Sequence, residues 1–274
     1  MPSAGSILAA VKALALDVEA LATPPACLGC ERPLSRREAA GVCCAMCRHR
    51  MRRIAPPTCP RCGQPLDPWS VQWQAGGARS TGTAVARARE PVAEIGHCEF
   101  CAAWPPEFHW AASGVWLDDG PARNLVYALK YGGWRIAAAP MAAIMAAEIG
   151  PALRGLDALV PVPLGRVRLR ERGHNQAAEL AAALGKAISL PVIVAALRRT
   201  RETPTQTRLS PAQRLENVRG AFASFGTRLG GMHVALVDDV VTTGATLGAA
   251  AQALAMLGPA AIGAVTFARA PVPA

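Results

Sequence analysis

Short apolar runs alternate with longer helix-like segments through the second half of the chain. The predicted strands are residues 157–162, 192–196, 233–237 and 262–268. The predicted helices are residues 124–132, 135–149 and 176–188, with an Ala/Leu-rich stretch that ends at Leu257. Strands that alternate with helices form a mostly parallel sheet covered on both faces, so this pattern predicts an α/β fold.

The first 23 residues have a different pattern, in which apolar residues recur at helical spacing. These are Ile7, Leu8, Val11, Leu14, Val18 and Leu21. We predict an amphipathic helix over residues 1–23 that packs on its own chain rather than on a bilayer. Lys12, Asp17 and Glu19 interrupt the apolar run, which argues against a secretory signal and against a membrane span. We expect no membrane span elsewhere in the chain.

All nine cysteines lie before Ala102, and eight of them form four Cys-x-x-Cys pairs. The pairs are Cys27/Cys30, Cys44/Cys47, Cys59/Cys62 and Cys98/Cys101, which leaves Cys43 unpaired. Two such pairs close one tetrahedral site of four thiolates around Zn²⁺. We therefore predict a double zinc-ribbon module over residues 24–110, with the first two pairs on one structural zinc and the last two on a second. Interleaved pairing of the four knuckles, and a ligand role for Cys43, remain open.

Disulfide bonds are the competing interpretation of so many cysteines. Without an export signal we expect a reducing, cytoplasmic compartment, in which zinc is the better interpretation. Residues 64–97 separate the third and fourth pairs and are rich in Gly, Ala, Arg, Ser and Thr, which predicts a flexible insertion. If that insertion kept the two pairs apart, the second zinc would be lost.

The formal net charge of +10 is concentrated in two Arg-rich stretches of the second half. Residues 166–172 carry four Arg against one Glu, and residues 198–219 carry six Arg against two Glu. They follow the first and second predicted strands, so we predict two loops at the sheet edge where ligands bind in α/β proteins. Such an edge favours an anionic ligand. A third basic cluster, residues 48–53, is either a contact for nucleic-acid phosphates or a solvated face.

Residues 234–246, VALVDDVVTTGAT, place an acidic pair and a hydroxyl-rich turn between a buried strand and a helix. Backbone N–H groups and hydroxyls at a helix N-terminus bind phosphate. The adjacent carboxylates, Asp238 and Asp239, accept hydrogen bonds from sugar hydroxyls or attract a magnesium hydration shell. The string therefore predicts a sugar-phosphate site, with the phosphate on Thr242, Thr243, Gly244, Ala245 and Thr246.

The same string closely resembles the phosphoribosyl-pyrophosphate (PRPP) loop of type I phosphoribosyltransferases. Together with ALKYGG, PVPLGRVRLRERGHNQ, RRTRETPTQTRLSPAQRLENV and the Cys pairs in front, it makes nearly the whole chain resemble the ComF family, which is associated with DNA uptake in natural competence. The chain departs from that family at His174, where Phe is usual, and in the insertion between the last two Cys pairs. The resemblance implies a type I phosphoribosyltransferase fold over residues 111–274, and it favours a homodimer.

The resemblance also implies how PRPP and Mg²⁺ would be held. Asp238 and Asp239 form the catalytic pair on the ribose hydroxyls, and the turn takes the 5′-phosphate. The expected pyrophosphate and flexible-loop residues are Arg166, Arg168, Arg170, Arg172, Gln206 and Arg214. Lys130 and Tyr131 either face the acceptor or simply end a helix.

Three functions remain open from the sequence. The first is a phosphoribosyltransferase whose acceptor is unidentified. The second is a DNA-transport accessory that binds single-stranded DNA or the DNA-uptake machinery, and the third is a sensor that binds PRPP without turnover. The intact acidic pair and turn favour PRPP binding but do not identify an acceptor.

Overall fold

The computed structural model describes residues 25–35, 38, 41–66, 98–202, 217–226 and 228–271, and the structural statements below concern these residues. The predicted helix over residues 1–23, most of the predicted insertion, Gln206 and Arg214 lie outside the described residues.

A four-stranded parallel sheet forms the centre of the second half of the chain. The strands in chain order are β1 (Trp110–Trp116), β2 (Ala158–Pro161), β3 (Leu197–Arg199), β4 (Phe222–Ser224), β5 (His233–Val241) and β6 (Ala261–Arg269). The sheet order is β1-β6-β5-β2, and β3 and β4 form a separate antiparallel pair. The two central strands, β5 and β6, are largely apolar because both faces of a parallel sheet are covered.

Helices cover both faces of this sheet. In chain order the helices are α1 (Ala45–Arg50) and α2 (Glu99–Ala102) of the cysteine module, and α3 (Pro121–Lys130), α4 (Ala138–Glu148), α5 (Gly150–Leu153), α6 (Arg166–Arg172), α7 (Gln176–Ile188) and α8 (Ala245–Ala255). Helices α3, α4 and α7 bury their apolar residues in a core with Val237 and Phe267, while α8 shares a second core with Leu236 and Ala264. Neighbouring residues of β5 thus enter different cores, as the two-residue repeat of a strand requires. No helix within the described ranges has both the length and the apolar character needed to cross a membrane.

The predicted α/β fold with a mostly parallel sheet is confirmed, but two segments were predicted wrongly. The strand expected at residues 192–196 makes a single bridge, Leu159 to Val192, and continues as a 3₁₀ turn. Strand β2 is only four residues long, so it offers that segment a short edge. The Arg-rich residues 166–172, expected as a loop, form helix α6. No residue of α6 is buried, so its sequence lacks the apolar period by which a helix is recognised.

The segment that joins the cysteine module to the sheet contributes to the core. Residues 104–109 include the buried side chains of Trp104 and Phe108. They lead directly into β1, an additional strand that pairs with β6. The first ribbon packs near the start of α3, where the Asn124 amide donates to Gly29 O at 2.9 Å. The second ribbon packs at the end of β6, where the buried Arg269 donates to Cys62 O.

Candidate functional site

A cavity of about 690 Å³ opens at the carboxyl edge of the parallel sheet. It lies between the turn after β5, the end of α3, helix α6 and the start of α7. Of the predicted site residues, its lining includes Lys130, Tyr131, Arg168, Arg172, Asp238, Asp239, Thr242 and Thr246. Segments that are far apart in the chain therefore converge here, as the positions of the predicted strands implied.

Helix α6 explains which arginines reach the cavity. Arg168 and Arg172 are one helical turn apart on the same face, and both line the cavity. Arg166 and Arg170 lie on the other face, where both are exposed. The four arginines expected to act together are thus divided into two pairs.

In the turn after β5, Thr242 and Thr246 line the cavity, whereas Thr243, Gly244 and Ala245 are not among its lining residues.

The acidic pair lies within strand β5 rather than after it, because β5 continues to Val241 while its neighbour β2 ends beside Val237. Asp239 is only 2% exposed, with its Oδ2 2.5 Å from Lys130 Nζ. Gln176 donates to its Oδ1 at 3.4 Å. Asp238 is half-buried, and its Oδ1 accepts the backbone N–H of Asp239 at 2.9 Å. The two carboxylates therefore have different surroundings.

The indole of Trp104 packs against the turn that follows β5. The indole Nε1 donates to Thr243 O at 2.9 Å. Gly244 has φ +79°, and a Cβ at this position would lie 2.5 Å from the same Nε1. Gly244 then begins helix α8, in which Gly248 N–H donates to Gly244 O at 2.8 Å. Only glycine satisfies both the left-handed backbone and the contact with the indole.

The eight paired cysteines form two tetrads. In each tetrad the four sulfur atoms lie within 4.8 Å of one another. The sulfurs of Cys27 and Cys47 are 3.7 Å apart, and those of Cys59 and Cys101 are 3.8 Å apart. Four thiolates bound to zinc at about 2.3 Å are separated by about 3.8 Å. Both tetrads fit tetrahedral zinc, with the partition predicted from the spacing. The interleaved pairing is excluded, and residues 64–97 do not prevent closure of the second tetrad.

Comparisons with known proteins agree with this two-part construction. The double zinc ribbon domain family matches residues 19–79, and the phosphoribosyl transferase domain family matches residues 138–273. "DNA utilization protein YhgH" of Salmonella typhi is 30% identical over 247 residues, which cover 88% of this chain and 96% of that protein. The chain belongs to the family of DNA utilization protein YhgH.

Two further members match over shorter stretches. "Competence protein F" of Haemophilus influenzae is 38% identical over 104 residues, which are 37% of this chain and 45% of that protein. "Competence protein ComFC" of Bacillus subtilis is 36% identical over 104 residues, 38% of this chain and 40% of that protein. The predicted resemblance to the ComF family is therefore confirmed.

The adjacent carboxyls of Asp238 and Asp239 have pKa values shifted in opposite directions. Burial, and then the charge of Asp239, raise the pKa of Asp238 well above its usual range. Burial also opposes ionisation of Asp239, but attraction by Lys130 outweighs it and lowers the pKa of Asp239. Burial likewise disfavours the charged form of Lys130, and the same attraction nevertheless raises its pKa. Asp239 and Lys130 therefore form a charged pair, while Asp238 retains a proton more readily.

The thiols of the first tetrad are surrounded by hydrogen-bond donors. The Cys27 sulfur accepts the N–H groups of Gly29 and Cys44, both at 3.3 Å. Burial opposes ionisation of Cys44, but the N–H of Cys47 and the Arg32 guanidinium lower its pKa to about 6. Such bonds stabilise thiolates, which are the form that binds zinc.

Several residues of the site were not assigned individually from the sequence. Gln176 and Arg199 line the cavity, although both belong to strings that carry the family resemblance. His174, where the family usually has Phe, is buried, with Nε2 2.7 Å from Leu129 O and Nδ1 2.9 Å from Arg172 O. It joins the carboxyl ends of α3 and α6, which bring Lys130 and Arg172 to the cavity. No local pattern indicates that role.

The basic cluster at residues 48–53 is partly occupied by contacts within the chain. Arg53 Nε lies 2.9 Å from Glu148 Oε1, and Arg48 donates to Cys43 O at 3.0 Å. The Arg52 guanidinium lies over the Trp116 ring at 5.6 Å. These contacts reduce the number of arginines in the cluster that can meet a phosphate backbone.

Proposed function

We propose that the protein binds PRPP with Mg²⁺ and transfers its phosphoribosyl group to an acceptor. The observation that carries this proposal is that three features meet in one cavity. They are the turn at residues 242–246 (the phosphate turn), the acidic residues of β5 and two arginines of α6. Thr242 and Thr246 of the turn after β5, Arg168 and Arg172 of α6, and Asp238 of β5 all line this cavity. A ligand with phosphate at one end and pyrophosphate at the other matches that distribution.

In this proposal each group of residues meets one part of PRPP. The N-terminus of α8 and the threonine hydroxyls hold the 5′-phosphate. Asp238 and Asp239 accept hydrogen bonds from the ribose hydroxyls. Lys130 keeps Asp239 charged and fixed before the ligand arrives, so the acceptor groups are preorganised. Arg168 and Arg172 neutralise the pyrophosphate that leaves as C1 of the ribose acquires positive charge.

The oxygen-rich donor set also fits a magnesium ion that arrives with the ligand. Mg²⁺ prefers oxygen ligands and is commonly held by one or two carboxylates together with substrate phosphates. Asp238 is a half-buried carboxyl in the cavity lining. The ion would add positive charge to the leaving pyrophosphate, and Asp238 would bind its hydration shell or the ion itself.

Calorimetric titration with PRPP and Mg²⁺ tests the site directly. We expect binding by the wild type and loss of most of the heat in an Asp238→Asn/Asp239→Asn variant. The matched control is Asp157→Asn, since Asp157 accepts the His233 N–H at 2.7 Å at the opposite end of β5. Equal heats for the wild type and the double variant would refute the proposed site. Release of pyrophosphate from PRPP in the presence of cell extract would indicate that the phosphoribosyl group is transferred and not merely bound.

The division of the arginines on α6 provides a second test. Arg168→Gln/Arg172→Gln should weaken binding of Mg²⁺-pyrophosphate at least about tenfold, because two charge-assisted contacts are lost. Arg166→Gln/Arg170→Gln removes the same charge from the exposed face of the same helix and should change affinity by less than about twofold. Equal losses in the two variants would contradict the assigned roles.

A second candidate function is binding of single-stranded DNA during DNA uptake in the cytoplasm. The relatives' names refer to competence and DNA utilization. Tyr127, Tyr131 and Trp134 are all more than half exposed beside the cavity, and the Arg172 guanidinium lies over the Tyr131 ring at 4.9 Å. Exposed aromatic rings interleaved with arginine suit the stacking of unpaired bases.

Fluorescence anisotropy with a labelled single strand tests this second candidate. Tyr127→Ala/Trp134→Ala should weaken binding at least about fivefold, because each base–aromatic stack contributes about 1–3 kcal/mol. Met256→Ala, which truncates an exposed apolar side chain on α8's carboxyl end, is the control. Unchanged affinity in the double variant would exclude this surface. Sedimentation of the same samples would test the homodimer that the family resemblance favours.

A further inference from the structure

Trp104 connects the second zinc ribbon with the phosphate turn. It follows the cysteine ligand Cys101 by three residues, and its N–H donates to Cys101 O at 3.1 Å. Its side chain, 5% exposed, donates through Nε1 to Thr243 O and packs against Gly244. The turn therefore packs against an indole from the segment that joins the second cysteine tetrad to β1.

The indole is itself held by residues of the second ribbon and its connection to the sheet. Phe108 stacks on it, with ring centroids 4.3 Å apart and planes inclined by 18°. The Arg61 guanidinium, 5.9 Å from the indole centroid, donates to the carbonyls of Cys101 and Phe108. Arg61 stands between the ligands Cys59 and Cys62, so the order of the second tetrad determines where these contacts lie.

A second connection reaches the other side of the turn. Arg269, at the end of β6, donates to Cys62 O and to Gln64 Oε1, the latter at 3.1 Å. Arg269 is opposite Val241, and Ala270 N–H donates to Val241 O at 2.9 Å, directly before the turn. The second ribbon thus supports the backbone on both sides of Thr242. The first ribbon packs instead near the start of α3.

The hydrogen bond from the indole also sets the direction of a peptide dipole. A trans peptide directs its C=O and N–H to opposite sides. Because Thr243 O faces the indole, the Gly244 N–H faces away from it. An N–H held in that direction need not reorient when a phosphate binds on the side of the turn away from the indole, and fixed backbone donors of this kind favour anion binding.

We propose that Trp104 is a positioning residue for the phosphate turn, and that the second cysteine tetrad, with its zinc, holds Trp104 in place. This inference rests on the proposed function, since it concerns the same turn. It assigns the second ribbon a part in sugar-phosphate binding through Trp104. Trp104 acts through Thr243 and Gly244 and does not itself touch the ligand.

The test compares Trp104→Phe with Trp110→Phe in the full zinc-loaded chain. Phe at position 104 retains the stacking on Phe108 but removes the donor to Thr243 O. Trp110 is also buried, at the start of β1 on the other side of the sheet, and is the matched control. Affinities for ribose 5-phosphate and for Mg²⁺-pyrophosphate are measured by calorimetry, with zinc content and thermal unfolding recorded for every protein.

We expect Trp104→Phe to weaken ribose 5-phosphate binding about five- to tenfold and to change pyrophosphate binding by less than about twofold. Trp110→Phe should leave both affinities unchanged. Phe108→Leu, which loosens the indole without altering it, should reproduce the selective loss if Trp104→Phe does not fold. Unchanged ribose 5-phosphate affinity, or an equal loss for both ligands, would overturn the positioning role. Failure of the wild type to bind ribose 5-phosphate would instead refute the proposed function.

Discussion

Replacing Lys130 by Met would leave the buried Asp239 carboxylate without its cationic partner. Asp239 has 3% of its side chain exposed, and Lys130 has 21%. Removal of one member of a buried ion pair typically costs 3–5 kcal/mol, because the remaining charge stays desolvated. Since Lys130 is only partly buried, we expect a loss of about 3 kcal/mol in the free energy of unfolding at pH 7.

The loss should depend on pH in a direction that the electrostatics determine. In the wild type the pKa of Asp239 is lowered by Lys130, so the stability it contributes is present above the unfolded pKa and is lost as pH falls through the folded pKa. In the variant, burial acts without that attraction and raises the pKa. Asp239 then takes up a proton as pH falls, so the difference from the wild type should be smaller at pH 5 than at pH 7.

Urea unfolding of zinc-loaded protein at both pH values measures this difference. Lys186→Met is the matched control, because Lys186 is an exposed lysine near the end of α7, and it should change stability by less than about 0.5 kcal/mol. Lys130→Met/Asp239→Asn should recover part of the lost stability, since no buried charge remains. A loss below about 1 kcal/mol for Lys130→Met that is the same at pH 5 and pH 7 would refute this reasoning.

Three further predictions concern the site and the second ribbon. Because the pKa of Asp238 is raised, we expect Mg²⁺-PRPP to bind more weakly as pH falls and its binding to release protons. Calorimetry in buffers of different ionisation enthalpy detects this release. Proton uptake on binding would contradict the prediction. Gly244→Ala, which combines a left-handed backbone with a clash against Trp104, should reduce ribose 5-phosphate affinity at least tenfold, and wild-type affinity would exclude that contact. Cys98→Ala/Cys101→Ala should lower zinc from about two to about one per chain by elemental analysis, with no change if these sulfurs are not ligands.

Local features of the sequence predicted much of the fold. The helix expected over residues 176–188 has those bounds, and the strands expected at 157–162 and 262–268 agree within one residue at either end. The apolar composition of these segments comes from burial on both faces of the sheet, so it is visible in the chain itself. The periodicity of apolar residues could not predict two segments correctly. Helix α6 has no buried residue, and the segment at 192–196 has only the short edge of β2 to pair with.

The sequence by itself determined the four Cys-x-x-Cys pairs and the family, because the spacing within each pair and the acidic-pair turn are each defined within a few neighbouring residues. The structure then grouped the four pairs into two tetrads. Only the tertiary structure decided that Asp239 pairs with Lys130, that Arg168 and Arg172 alone of the four arginines on α6 reach the cavity, and that Trp104 supports the turn. The hydrogen bond from Trp104 to Thr243 joins residues 139 positions apart. Such contacts depend on how the ribbon and the sheet pack together, and no period or spacing along the chain encodes that packing.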